Sequence, residues 1–286
     1  MTLAFRPVTL GEVLRGATEY LAGRGIDTAR VDAELLLARA LGLTRIELYT
    51  QHDRPLTEAE RAAARELVQR RGRREPLAYV LGDWDFRRLT LKTDRRALVP
   101  RPETEIVVER CLALLEGIEA PRIADVGTGT GAIALALKQE RPDAVVVATD
   151  ISPDALELAR ENAAANELDV LFVEADLLDG VEGPLDLIVS NPPYVGADEL
   201  DALEPEVREW EPRGALVDDG QTVRLARAAQ SVLDGWLVVE VHEDRAQALS
   251  DDLAKLGYRR IGVGLDLAGK ERMVEAQWGV ERPSGS

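Results

Sequence analysis

The sequence predicts an α/β protein in two parts: a small all-helical domain, then a seven-stranded, mostly parallel sheet with helices on both faces. Three observations carry this. Up to about residue 80, apolar residues recur at helical spacing between capping and glycine signals. From about Pro121 onward, strand-like and helix-like patterns alternate, as a parallel sheet with crossover helices requires. The charge is also split. Residues 1–85 hold 13 Arg and 13 acidic residues, so the rest of the chain carries the whole net charge of −17. The 286 residues, 45% of them apolar, suit two domains with real cores. The expected division is 1–75 helical, 76–100 a hairpin linker, and 101–286 the sheet domain.

Taken in order, Thr9 caps a helix over Gly11–Ala22 that ends at Gly23 or Gly25. Asp27 or Thr28 caps the next, Ala29–Leu41, ended by Gly42, with Val31, Leu35, Ala38 and Leu41 as its apolar face. Thr57 and Glu60 form a capping box that opens a third long helix to about Arg73. The cluster Arg70, Arg71, Arg73 and Arg74 then complements the helix dipole or docks a partner. Trp84-Asp85-Phe86 and Leu89-Thr90-Leu91 alternate as a short hairpin. The strands expected next are Ile123–Val126, Ala144–Thr149, Val170–Ala175, Leu185–Ser190, Trp236–Val241, Arg259–Leu265 and Arg272–Gln277. The helices between them are Ala132–Glu140, Pro153–Asn166 (capped by Ser152, with proline at its first position) and Glu243–Leu256. The tail Arg282–Ser286 reads as disordered.

Composition excludes several functions. No apolar run approaches the ~18–20 residues a membrane span needs, and Met1–Gly16 lacks the pattern of a cleaved signal. Cys111 is the single cysteine, which fits a reducing, cytoplasmic setting. Two histidines, His52 and His242, and one cysteine cannot build a His/Cys metal site, so metal-free chemistry is expected. The acidic second part argues against direct nucleic-acid binding, which needs a basic stripe.

Asp125-Val126-Gly127-Thr128-Gly129-Thr130-Gly131 follows the first strand and opens a helix. Glycines there let the backbone approach a ligand, and the helix N-terminus offers unpaired N–H donors. The second strand ends at Asp150, where a carboxylate can accept both ribose hydroxyls of an adenosine. Asp176 and Leu177, after the third strand, would lie beside the adenine. Gly127, Gly129 and Ala132 also satisfy the G-x-G-x-x-A dinucleotide pattern, so NAD and S-adenosylmethionine both remain open on the loop alone.

Asn191-Pro192-Pro193-Tyr194 follows the apolar strand Leu185–Ser190, at the sheet edge where open α/β folds bind ligands. The tetrad suits a planar –NH₂ group. The Asn191 side-chain oxygen accepts one hydrogen, and the Pro192 carbonyl accepts the other. The prolines hold these acceptors rigid, and Tyr194 can pack against the planar group. An amide nitrogen is a poor nucleophile, and holding both hydrogens turns its lone pair toward a methyl sulfonium. The leaving group is already cationic, so neither an acid nor a strong base is required. An NAD enzyme leaves this tetrad unexplained, as does a non-catalytic docking protein.

From about Pro76 to Trp278 the chain resembles the bacterial peptide chain release factor glutamine-N5 methyltransferases. The resemblance rests on Val99-Pro100-Arg101-Pro102-Glu103-Thr104-Glu105, on Asp125–Leu137, on Asp150 and Asn191–Tyr194, and on Glu211-Pro212-Arg213-Gly214-Ala215-Leu216. It implies a Rossmann-like class I methyltransferase sheet of seven strands with a small N-terminal all-helical domain. It further implies S-adenosylmethionine at Gly127–Gly131, Asp150 and Leu177, leaving as S-adenosylhomocysteine. The substrate would be the Gly-Gly-Gln glutamine of class I release factors, held by Asn191–Tyr194. A monomer is expected. Pro102-Glu103 separates the chain from similar enzymes of a ribosomal protein, which read V-P-R-S-P there. An amino-methyltransferase of adenine or guanine shares the tetrad's logic but would need a basic groove. Two departures stand out. The family's Gly and Gln after the strand-end Glu are absent from Glu240–Arg245, and Leu177 stands where relatives often have Trp. Glu103, Glu105 and Glu240–Arg245 are left without a role.

Overall fold

The computed structural model describes residues 7–266 and 268–279, so the tail expected to be disordered lies outside the described residues. The chain forms two compact units. One runs up to Gly82 and takes in Glu204–Trp210; the other holds Asp83–Leu203 and the chain from Glu211.

The first unit contains α1 (Leu10–Ala22), α2 (Ala29–Leu41), α3 (Arg45–Thr50), α4 (Glu58–Arg71) and α5 (Leu77–Leu81), joined by the short helix Pro205–Trp210, α9 in chain order. Thr9, Thr44 and Thr57 each close a capping box with the Glu three residues on, which satisfies two orphan helix donors apiece. The core gathers Leu10, Leu14, Leu21, Leu36, Leu37, Leu48 and Val68.

The apolar face expected for α2 is right only in part. Ala38 and Leu41 are half-buried and pack against the core, but Val31 is 43% exposed and Leu35 is half-buried. The buried face is Ala29, Asp32, Ala33, Glu34, Leu36 and Leu37. Two acids sit inside because cations meet them there. Arg71 Nε donates to Asp32 at 2.7 Å. Arg30 and Arg45 each meet Glu34 at 2.6 Å, and Tyr49 donates to it as well. Burial opposes charge on Glu34, but these hydrogen bonds outweigh it and hold the carboxyl down at about 2.

The arginine cluster ending α4 is used in the same way, and Arg70 and Arg71 also stand in its last turn, where the helix dipole favours cations. Arg70 pairs with Glu75, Arg71 with Glu206 as well as Asp32, and Arg74 with Glu204 and Glu206. Only Arg73 stands exposed. The helix itself stops at Arg71, short of Arg73.

The second unit opens with the expected hairpin, β1 (Asp83–Phe86) against β2 (Leu89–Lys92), followed by α6 (Thr104–Leu114). Then come β3 (Arg122–Val126), α7 (Ala132–Glu140), β4 (Val145–Asp150), α8 (Pro153–Ala165), β5 (Leu171–Glu174) and β6 (Leu185–Ser190). The chain finishes with α10 (Gln221–Ala229), β7 (Leu233–Glu240), α11 (Ala246–Lys255), β8 (Arg259–Leu265) and β9 (Glu271–Trp278). The seven strands lie in the order β5-β4-β3-β6-β7-β9-β8. Pairing is parallel from β5 to β7 and antiparallel for β7–β9 and β9–β8.

Alternation along the strands divides the core in two. Ile123, Leu187, Val189 and Val238 face the hairpin, α6 and α7. Ala124, Ile188, Leu237 and Val239 face α10 and α11. The strand order reverses beside β3: the chain winds outward through β4 and β5, then returns to lay β6 on the other side. A crevice opens at such a switch point, beyond the carboxyl ends of the strands.

Candidate active site

Register places the site. Val126 pairs with Thr149 on one side and with Ser190 on the other, and Ser190 pairs with Val239. The next residue of each strand therefore falls in one row along the sheet edge: Asp150, Gly127, Asn191 and Glu240. Above this row lies a cleft of about 450 Å³, within the range of small-molecule sites. Gly127, Thr128, Gly129, Thr130, Asp150, Asp176, Leu177, Asn191, Pro192 and Pro193 all line it. Gly131 and Tyr194 are not among the lining residues.

The glycine loop is built from β3 outward. Gly127 and Thr128 both donate backbone N–H groups to Thr149 O, at 2.8 and 2.9 Å. Gly127 has φ +73 and open space where a Cβ would stand, so its backbone faces the cleft bare. Gly131, at φ +85, turns instead against Leu135 and Ala159 to admit α7. Asp125 is fully buried beneath the loop. It accepts from Thr128 Oγ1 at 2.6 Å and from Ala134 N at 3.1 Å. Burial pushes its carboxyl up to about 7 against those two hydrogen bonds.

Asp150 accepts from Gly129 N and Ser152 N, each at 2.9 Å. A carboxylate has about four lone-pair sites, so two remain for hydroxyls in the cleft. Burial raises its pKa. Leu177 holds φ +58, which is uncommon for a non-glycine residue, and its carbonyl accepts from Thr149 Oγ1 at 2.7 Å. Asp176 pairs with Arg224 at the cleft wall.

On the other side, Asn191 Nδ2 donates to Thr104 Oγ1 at 3.3 Å. Tyr194 sits half-buried with its ring centroid 6.1 Å from that of His242. Burial raises the phenol pKa, so it stays neutral near pH 7. The chain after the tetrad is pinned by Val195 N to Leu216 O and Asp218 N to Val195 O, both 2.9 Å.

Against known proteins, residues 12–82 match the family model of the PrmC N-terminal domain and residues 105–223 that of the methyltransferase small domain. The release factor glutamine methyltransferase of Deinococcus radiodurans is 43% identical over 94% of this chain and 98% of its own. That of Geobacter sulfurreducens is 39% identical over 95% and 97%. The chain belongs to the release factor glutamine methyltransferases. A solved methyltransferase from Pyrococcus furiosus shares the fold, with a TM-score of 0.51, 21% identity, and coverage of 67% of this chain and 90% of that one.

Within this family member, two of the stretches that carried the resemblance meet. Arg101 Nη2 reaches both oxygens of Glu211, at 2.8 and 2.7 Å, and Glu211 is buried. Glu105 accepts the backbone N–H of Arg87 at 3.0 Å, tying α6 to the hairpin turn. Sequence reasoning missed three residues at the site. Thr104 lines the cleft and is 4% exposed. Ile151, 70% exposed, follows Asp150 on the cleft wall. Buried Asn162 donates to Thr130 O and Lys92 O, bracing the glycine loop against the hairpin. Of these, only Ile151 carried a signal, as an apolar residue set directly after the strand-end acid.

Proposed function

We propose that the cleft binds S-adenosylmethionine and that the tetrad presents to it the side-chain amide of the Gly-Gly-Gln glutamine of class I release factors, which becomes N5-methylated. The observation that carries this reading is the common row of Gly127, Asp150 and Asn191 along one sheet edge, with one cleft above them. The bare backbone at Gly127 and the two open acceptor sites on Asp150 suit an adenosine with a charged tail. Gly127–Thr130 would hold the tail, Asp150 the ribose, and Asp176, Leu177 and Ile151 the adenine surroundings, while Gly131, expected among the cofactor residues, serves the turn into α7 instead. When bound, the cofactor supplies a methyl group on cationic sulfur and leaves as S-adenosylhomocysteine.

This chain's own residues do the rest. Asn191 Oδ1 and the Pro192 carbonyl accept the two amide hydrogens and turn the nitrogen lone pair out of conjugation. Pro192 and Pro193 keep the acceptors fixed, so little reorganisation is needed. Tyr194 closes on the amide plane from its place beside His242. The proton shed afterwards is acidic enough to pass to water. Residues 1–75 capture the protein substrate. The same reading has the enzyme working in the cytoplasm as a monomer, without metal.

The test is mass spectrometry of purified release factor after incubation with the protein and S-adenosylmethionine. One added methyl on the Gly-Gly-Gln glutamine is expected. An unmodified release factor beside a methylated ribosomal glutamine or nucleic acid would move the substrate assignment.

A further inference from the structure

We propose that Asn162 is a positioning residue: by holding the Thr130 carbonyl it aims the Thr130 N–H at the carboxylate of the cofactor's methionine tail. The inference rests on the reading that the cleft binds S-adenosylmethionine. It adds to that reading which loop donor meets the tail, and what keeps that donor in place.

The backbone N–H groups of the glycine loop are mostly spent inside the protein. Gly127 and Thr128 donate to Thr149 O, Gly129 to Asp150 Oδ2, and Gly131 to Thr128 O. Within Gly127–Gly131, the Thr130 N–H alone has no partner among the described residues. Thr130 lines the cleft and is 3% exposed. A buried N–H is rarely left unpaired, because nothing then replaces the hydrogen bond it made to water. An anionic ligand group replaces it well, most of all beside a helix N-terminus, and α7 opens two residues on at Ala132. The tail carboxylate is the only anionic group of S-adenosylmethionine.

The aim of this N–H depends on its neighbours. Gly129, at φ +55, lets the peptide before Thr130 rotate. Contacts on either side restrain it. Asp150 holds Gly129 N, and Asn162 Nδ2 donates to Thr130 O at 2.9 Å. Backbone groups fix the sense of the Asn162 amide. Lys92 N can only donate, and it meets Oδ1 at 2.7 Å. The Nδ2 end must then face Lys92 O, at 3.1 Å, and Thr130 O. Asn162 is 1% exposed, so water does not compete for these bonds.

The experiment uses the full chain and two ligands. One is S-adenosylhomocysteine. The other is its decarboxylated form, which keeps adenosine, sulfur and amine but lacks the carboxylate. Calorimetry gives the affinity of each for wild type, Asn162→Leu and Asn162→Ala. Both substitutions remove the bond to Thr130 O; the first keeps the volume, and the second adds no bulk. Both variants should bind S-adenosylhomocysteine about 10–100-fold more weakly, the scale of a hydrogen bond to a charged group. Both should bind the decarboxylated form with near wild-type affinity. Equal losses on the two ligands overturn the proposal, since they mark a general brace of the cleft. So does an unchanged affinity for S-adenosylhomocysteine. A titration of wild type followed by NMR reads the same bond even if neither variant folds. The Thr130 amide proton should move downfield with S-adenosylhomocysteine and not with the decarboxylated form, and any other pattern overturns the proposal. A wild-type protein that binds neither ligand overturns the cofactor reading itself.

Discussion

Asn191 and Asp125 have different parts in the proposed site: Asn191 would hold the substrate amide, and Asp125 holds the loop that faces it. Asn191→Ala removes one pre-organised acceptor and should cut turnover by about 10²–10³. Cofactor affinity, measured by calorimetry, should stay near wild type, because the glycine loop and Asp150 make none of their hydrogen bonds through Asn191. Unchanged turnover would remove the amide-holding mechanism. Asp125 predicts a pH dependence. Its folded carboxyl is raised to about 7, against about 4 when unfolded. Between those values the folded chain keeps a proton that the unfolded chain has released. Stability from this group is therefore present below pH 4, is lost as pH rises to about 7, and is level above that. Asp125→Asn titrates nowhere, and its amide oxygen can still accept from Thr128 and Ala134. Denaturant melts at pH 4.5 and 7.5 should show the variant gaining on wild type by on the order of 3 kcal/mol. Parallel shifts in the two proteins would mean that Asp125 titrates as if exposed.

Strands and their connecting helices were legible because each carries its own pattern. The stretches Leu185–Ser190, Arg259–Leu265, Ala29–Leu41 and Ala132–Glu140 form elements with the expected bounds. Others moved by a few residues: β7 begins at Leu233, and α11 begins at Ala246 because Glu243 and Asp244 stay outside it. What was not legible depends on tertiary partners. Helix α6 has no side-chain cap at Glu103, and its buried stripe, Thr104, Val107, Val108 and Cys111, is broken by Glu105, Glu109 and Arg110. α3 and α5 are too short to show a period. The face of α2 was misread in part because paired acids, Asp32 and Glu34, occupy positions that a polarity pattern assigns to solvent. The loop elements around the cleft depend on one such pair. Removing the Arg101 cation by Arg101→Met strands Glu211, whose side chain is 1% exposed. Breaking a buried pair from one side costs about 3–5 kcal/mol, to be read by thermal or denaturant unfolding. Arg101→Met with Glu211→Gln should recover much of that loss; a double variant no better than the single one would show that packing, not stranded charge, dominates.

At the scale of the whole molecule, the strand ends of the site could be read from the sequence, because a parallel sheet brings consecutive strand-end residues to one edge. Thr104 could not, since nothing in its own neighbourhood shows that it meets Asn191. The division of labour between the units is open to a test of the same physical kind. Gly127–Gly131, Asp150, Leu177 and Asn191 all belong to the second unit, which has large core clusters of its own on both faces of its sheet. Deleting residues 1–75 should therefore leave S-adenosylhomocysteine binding near wild type and lower kcat/KM on full-length release factor, chiefly through KM. Chain order complicates the deletion. Glu204–Trp210 belongs with the first unit, and the cut removes Arg71 and Arg74, the cations that meet Glu204 and Glu206. Those acids would be left without partners in the middle of the remaining chain. A second truncation carrying Glu204→Gln and Glu206→Gln relieves that charge while docking stays absent. If capture of the protein substrate is the role of residues 1–75, both truncations bind cofactor and both fail on release factor. Cofactor affinity lost in the first and regained in the second would trace the damage to stranded carboxylates. Equal kcat/KM in the second truncation and the full chain would remove the docking role.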